Sequence, residues 1–177
     1  QVTKLYGDSD KPVVYGLETC AAFRAAVPAD QAYLATAGFF DTGTNALTYY
    51  LRANLVFPSH TAPSHHAGIL TQVPWDKHWF FRLRHNHTAP HHEQYVKEHV
   101  LPIVTIRDPL SWMQSLCQQP YLVRWPHSTK HCPNLVPDPA IDDLIGGDDS
   151  NSISVSIPSM TGSKEWPSLA HLWNDYY

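Results

Sequence analysis

Apolar and polar positions alternate along this chain in a way that marks out its elements one by one. Residues 12–15 (Pro-Val-Val-Tyr) form a short apolar run. Leu17 to Val27 is alanine-rich and predicts a helix stopped by Pro28. Ala32 to Phe40 is continuously apolar apart from Tyr and Thr, the pattern of a buried strand. Thr44 to Asn54 brings Leu47, Tyr50 and Leu51 to one side and predicts a helix buried on that face. Residues 57–68 hold Pro, Ser, Gly and three His, and read as a loop. Trp79 to Arg84 sets Trp79, Phe81 and Leu83 against Phe80, Arg82 and Arg84, which predicts a strand. A short helix is expected over His91 to His99, and Val100 to Ile106 is the second buried strand.

Asp108 followed by Pro109 is a helix start, an N-cap acceptor with proline at the first helical position, and the helix should reach about Cys117. Residues 126–163 are rich in Pro, Gly, Asp and Ser and read as an inserted surface excursion. From Ser168 to Tyr177 the helical stripe returns with Leu169, Leu172, Trp173 and Tyr176. Strand–helix alternation predicts a single α/β domain with a parallel sheet. Strand 32–40 should lie beside strand 100–106, each leading into its helix, with right-handed crossovers.

Composition narrows the function. An apolar fraction of 43% supplies a real core, and a formal net charge of −4 argues against a general nucleic-acid binder. No stretch approaches the ~18 apolar residues of a membrane span, so a membrane would be met only through a segment outside this chain. The chain starts at Gln1, which leaves room for an upstream segment, and its last helical stripe runs to Tyr177 without a breaker, so a C-terminal portion is expected beyond it. Cys20, Cys117 and Cys132 are too few for a disulfide scaffold and read as free or buried thiols. The alternative is one Cys117–Cys132 bridge, which would imply an oxidising compartment.

Two segments carry chemistry. Gly38-Phe-Phe-Asp-Thr-Gly43 has the G-x-x-x-x-G spacing of a phosphate loop, between a strand and a helix. Thr44-Asn45 stands where Lys-Ser/Thr would complete that motif. The glycines still allow a tight turn, and the amides of Thr42 to Asn45 at a helix N-terminus can cradle an anion. Arg107 ends the second buried strand and Ser115 lies on the helix after it. Both segments should meet at the carboxyl edge of the sheet, where parallel sheets bind ligands. Arg107 can make a forked contact to phosphate there, or can instead pair with Asp108 or another carboxylate.

Together, GFFDTGTNAL (residues 38–47) and VTIRDPLSWMQSLCQQPY (residues 104–121) resemble the two cofactor motifs of the sulfotransferase superfamily. That resemblance implies a P-loop-like three-layer sandwich around a central parallel sheet. It implies 3′-phosphoadenosine 5′-phosphosulfate as donor, with the loop at Gly43-Thr44 on the phosphosulfate and the Arg107/Ser115 pair, eight residues apart, on the 3′-phosphate. It implies transfer of a sulfuryl group to an acceptor hydroxyl or amine, with a small molecule or a carbohydrate as acceptor. By the same analogy the chain belongs either to the Golgi lumen, with an upstream anchor, or to the cytoplasm.

The resemblance also exposes departures. The loop usually carries a lysine where Asp41 stands here, and a carboxylate ~4 Å from a sulfate is repelled by roughly 4 kcal/mol at an effective dielectric of about 20. Asp41 must therefore turn away, pair with a cation, or mark a changed or lost activity, and Lys77 is the replacement cation proposed from sequence. Family layout points to His85 or His87 as the base that accepts the hydroxyl proton, with Glu93 the alternative. The twelve histidines match no zinc spacing, and no metal is expected. Two other readings stay open: a P-loop domain that binds a nucleotide or partner without catalysis, and a His-rich metal-binding protein.

Overall fold

The computed structural model describes residues 13–57, 60, 67–125, 155–157 and 164–177. The first helix, α1, is Thr19–Ala26, ending just before Val27 and Pro28. Strand β1 is Tyr33–Gly38, helix α2 is Thr44–Asn54 and the short strand β2 is Ile69–Leu70. Strand β3, Val100–Thr105, leads into helix α3, Pro109–Gln118. Val155–Ser156 (β4) and Glu165–Trp166 (β5) form a small antiparallel pair before helix α4, Leu169–Tyr176.

The fold is α/β. The sheet order is β2-β1-β3 with every pairing parallel, Tyr33 opposite Val100 and Gly38 opposite Thr105. The expected adjacency of the two buried strands, each followed by its helix, is therefore observed. Helix α2 connects β1 to β2 across one face of the sheet, where the Thr36 and Thr48 hydroxyls meet at 2.6 Å. The link from β2 to β3 crosses the other face: Val73, Trp75, Trp79 and Tyr95 pack with Ala35, Ala37, Val100 and Val104. The two crossovers use opposite faces and run in opposite lateral directions, so they share one hand.

A second core closes the carboxyl end of the sheet. Phe39 and Phe40, just past β1, pack with Trp112 and Leu116 of α3 and with Leu172 and Tyr176 of α4. Trp112 is fully buried, and its indole N–H donates to the Phe40 carbonyl at 2.8 Å, fastening α3 to the start of the loop. Helix α3 begins as its sequence requires, with the Asp108 carboxylate accepting from the Ser111 N–H at 2.9 Å and Pro109 in the first turn. Helix α4 is capped by Ser168.

Five expectations are corrected. The strand over 79–84 is instead a 3₁₀ helix at Phe81–Asn86. Buried Phe80 and partly buried Leu83 lie three apart, the 3₁₀ repeat, while Arg82 reaches out to Asp175. In α2 the buried residues are Thr44 and Thr48, whereas Tyr50 is 63% exposed, because the Thr36–Thr48 hydroxyl pair sets the inward face. Within 91–99 only Lys97–His99 is helical, as a 3₁₀ turn; the preceding residues form turns with His92 and Tyr95 N–H groups bonded three residues back. Ile106 lies beyond β3 and is exposed. Cys117 is disulfide-bonded and Cys20 is free, which overturns the reading of all three as thiols. Cys132, His65, His66 and most of the 126–163 insertion lie outside the described residues.

Candidate anion-binding site

The site begins with the way β1 ends. Gly38 has φ +151, and a Cβ there would lie 2.3 Å from Thr105 Oγ1 and 2.7 Å from the Thr105 carbonyl oxygen. Only glycine lets the backbone pass this close to β3. The Thr42 hydroxyl then donates to the Phe39 carbonyl at 2.7 Å and lies 2.9 Å from Thr105 Oγ1, stitching the loop to the end of β3. Asp41 and Gly43, with φ 58 and 86, turn the chain into α2.

Gly43 is the N-cap of α2 and offers no side chain to cap it, and the first intrahelical bond runs from the Leu47 N–H to the Gly43 carbonyl at 3.0 Å. The first-turn N–H groups of Thr44, Asn45 and Ala46 therefore have no intrahelical acceptor, and the helix dipole adds positive potential at the same point.

Arg107 comes to this loop from the end of β3. Its Nη1 donates to the Asp41 carbonyl at 3.2 Å and to the Ser115 hydroxyl at 2.5 Å. The eight-residue spacing thus becomes a direct contact, with the guanidinium bridging α3 and the loop. It does not pair with Asp108, whose carboxylate is engaged by Ser111; that engagement holds it below the usual carboxylate range.

A third segment completes the edge. The Gly38 N–H donates to the Lys77 carbonyl at 2.9 Å, and His78 Nδ1 lies 2.8 Å from the Gly38 carbonyl. Lys77 Nζ donates to Asn45 Oδ1 at 2.6 Å, in the first turn of α2. The cation proposed from sequence is therefore at the loop. Burial lowers the pKa of Lys77, with Asp76 opposing the shift. His78 packs its ring 4.6 Å from that of Phe40. Burial also lowers its pKa, against the bond to Gly38. A carbonyl can only accept, so Nδ1 carries the proton and Nε2 keeps its lone pair. Sequence gave no signal for His78, which sits in a segment without period or motif.

His85 and His87 have their contacts elsewhere. His85 lies in the 3₁₀ turn, and its carbonyl, with those of Arg84 and His87, accepts from Lys97 Nζ just ahead of β3. The His87 ring stacks on Trp79 at 4.0 Å. Glu93 lies in the turns preceding Lys97–His99. Among the described residues no three His, Cys, Asp or Glu side chains are grouped to hold a metal.

Asp41 is the discordant residue. Its Oδ2 is shielded from solvent and has no hydrogen-bond partner, and burial raises its pKa in spite of nearby Arg107. A carboxyl with a raised folded pKa costs stability once it ionises: the cost is absent below the unfolded value of 3.8 and appears as pH rises through the folded value. Asp41→Asn, which tolerates the same positive φ, should therefore stabilise the protein at neutral pH. The gain should vanish as pH falls toward 4 in denaturant titrations, and a pH-independent difference would locate its cause outside this carboxyl.

Comparison with family models, curated proteins and solved structures returns no match for this chain.

Proposed function

We propose that this chain is the donor-binding part of a sulfotransferase-type domain with a P-loop-like sandwich fold, which takes 3′-phosphoadenosine 5′-phosphosulfate and passes its sulfuryl group to an acceptor hydroxyl. The observation that carries the reading is the contact of Arg107 with both Ser115 and the Asp41 carbonyl. It joins the two resembling motifs at one sheet edge, beside a helix start with uncapped N–H groups. One phosphate would sit on the Thr42–Asn45 amides, with Lys77 alongside, and the other on Arg107 and Ser115.

In the proposed reaction the acceptor oxygen loses its proton to a base and bonds to sulfur. The sulfur–oxygen bond to the 5′-phosphate breaks, releasing adenosine 3′,5′-bisphosphate. His78 Nε2 joins His85 and His87 as a candidate base, and its position beside Gly38 favours it. The disulfide at Cys117 supports the luminal alternative for localisation.

Calorimetry with adenosine 3′,5′-bisphosphate tests the binding site. Arg107→Ala should weaken binding by roughly 1.5–3 kcal/mol, the scale of a charged hydrogen bond. Unchanged affinity in a folded variant would count against the assignment.

A second reading is favoured by one observation, the unpartnered Asp41 carboxylate. Here the domain binds a nucleotide without catalysing transfer. Binding of the bisphosphate with no transfer from radiolabelled donor to any acceptor would support it.

A further inference from the structure

On the flank of α2 lies an open groove of about 470 Å³. Asn45, Thr48, Tyr49, Arg52 and Ala53 form one wall and Thr71, just past β2, the other. The five helix positions follow the i, i+3, i+4, i+7, i+8 stripe, so they share one side of the helix. The groove starts at Asn45, the residue that holds Lys77, and runs down to Arg52. Seven residues of helix span about 10 Å, room for two linked sugar rings.

Its chemistry is specific. Tyr49 presents an exposed ring, 69% accessible, on which the apolar face of a sugar can lie. Asn45 and Thr71 add amide and hydroxyl groups. Arg52 sets the charge. Its Nε and Nη2 both donate to the Ile69 carbonyl, at 3.2 and 2.9 Å, so the guanidinium is fixed at the groove by a neutral partner. Among the described residues no carboxylate forms an ion pair with it. Burial also lowers its pKa, as expected for a cation desolvated without a counter-charge.

We propose that this groove binds an acidic saccharide, with a sugar carboxylate or sulfate against Arg52, a ring on Tyr49, and the next sugar reaching the loop at Asn45. As the acceptor of transfer, that saccharide rests on the functional reading above; its binding to the groove does not.

The test uses the full chain and two disaccharide probes followed by NMR titration: glucuronic acid linked to N-acetylglucosamine, and the counterpart with glucose in place of glucuronic acid. The acidic disaccharide should bind saturably and the neutral one about tenfold more weakly or less, the scale of a lost charged hydrogen bond. Ala53→Trp, at an exposed position, should fill the groove and weaken the acidic sugar about tenfold without changing affinity for adenosine 3′,5′-bisphosphate. Tyr49→Ala should weaken the same sugar and provides the readout if Ala53→Trp does not fold. No saturable binding, equal binding of both sugars, or binding indifferent to the groove variants overturns the proposal, whatever the nucleotide does. Sugar binding with these dependences but no bisphosphate binding leaves the groove standing and removes the sulfotransferase reading.

Discussion

Gly38→Ala should cost the protein roughly 2–6 kcal/mol, summing about 1–3 kcal/mol of backbone strain and 1–3 kcal/mol of overpacking. Two independent features produce the cost. The φ of +151 is a region L-residues rarely adopt, and the added methyl would press on the Thr105 hydroxyl, the Thr105 carbonyl and the Thr42 hydroxyl. Against a total stability of about 5–15 kcal/mol for a typical domain, this is enough to lower the denaturant midpoint visibly or to abolish folding. The double variant Gly38→Ala/Thr105→Ala separates the causes. It removes one of the two hydroxyl contacts but leaves the carbonyl 2.7 Å away and the φ unchanged, so it should recover only part of the loss. A Gly38→Ala protein that unfolds like the original would mean that β1 and β3 do not close on each other as described. The anion site would lose its foundation with them, because the Thr42–Thr105 contact depends on the same approach.

Much of this geometry could be read from the chain, and the parts that could not share a physical cause. Strands β1 and β3 were legible because both are short apolar runs followed by helix starts, and α3 because Asp108-Pro109 leaves little choice. The Arg107 and Ser115 spacing was legible as a motif, but the direct contact between the two side chains was not, because it needs the guanidinium to turn from the strand end toward the second turn of α3. The inward face of α2 was not legible from hydrophobicity. Thr48 is buried there because Thr36, twelve residues earlier, supplies its hydroxyl partner, and that pairing exists only once the sheet has formed. The 79–84 segment failed because a short alternation of aromatic and arginine residues suits a strand as well as a 3₁₀ turn. Packing of Phe80 and Leu83 on the terminal core decides between them. His78 was invisible for a related reason: a backbone-to-backbone clasp between residues 38 and 77 brings it to the loop, and no side-chain pattern encodes that clasp. Lys77 was nominated only because a cation was needed to offset Asp41, and it contacts Asn45 rather than the Asp41 carboxylate.

The largest effect is expected at His78. If the domain transfers sulfuryl groups and His78 is the base, His78→Ala should lower the transfer rate by about 10²–10⁴ with little change in donor affinity. Alanine would also remove the bond to the Gly38 carbonyl, so the more informative change is His78→Asn, whose side-chain amide can still donate there while lacking the Nε2 lone pair. Loss of rate in both variants marks a chemical role. Recovery in His78→Asn marks a positioning role for the Gly38 contact. The pH profile gives an independent check. A base must be neutral to act, so activity should fall as pH drops through the imidazole pKa. Because burial lowers that pKa, the acid limb should lie below the ordinary 6.5. His85→Ala and His87→Ala supply the contrast, since the carbonyls of both residues are held by Lys97 through contacts that their side chains do not make. A rate that survives every change at His78 but collapses in one of those two would move the reacting centre toward the face where His87 stacks on Trp79, while leaving the Arg107 and loop contacts as the anion site.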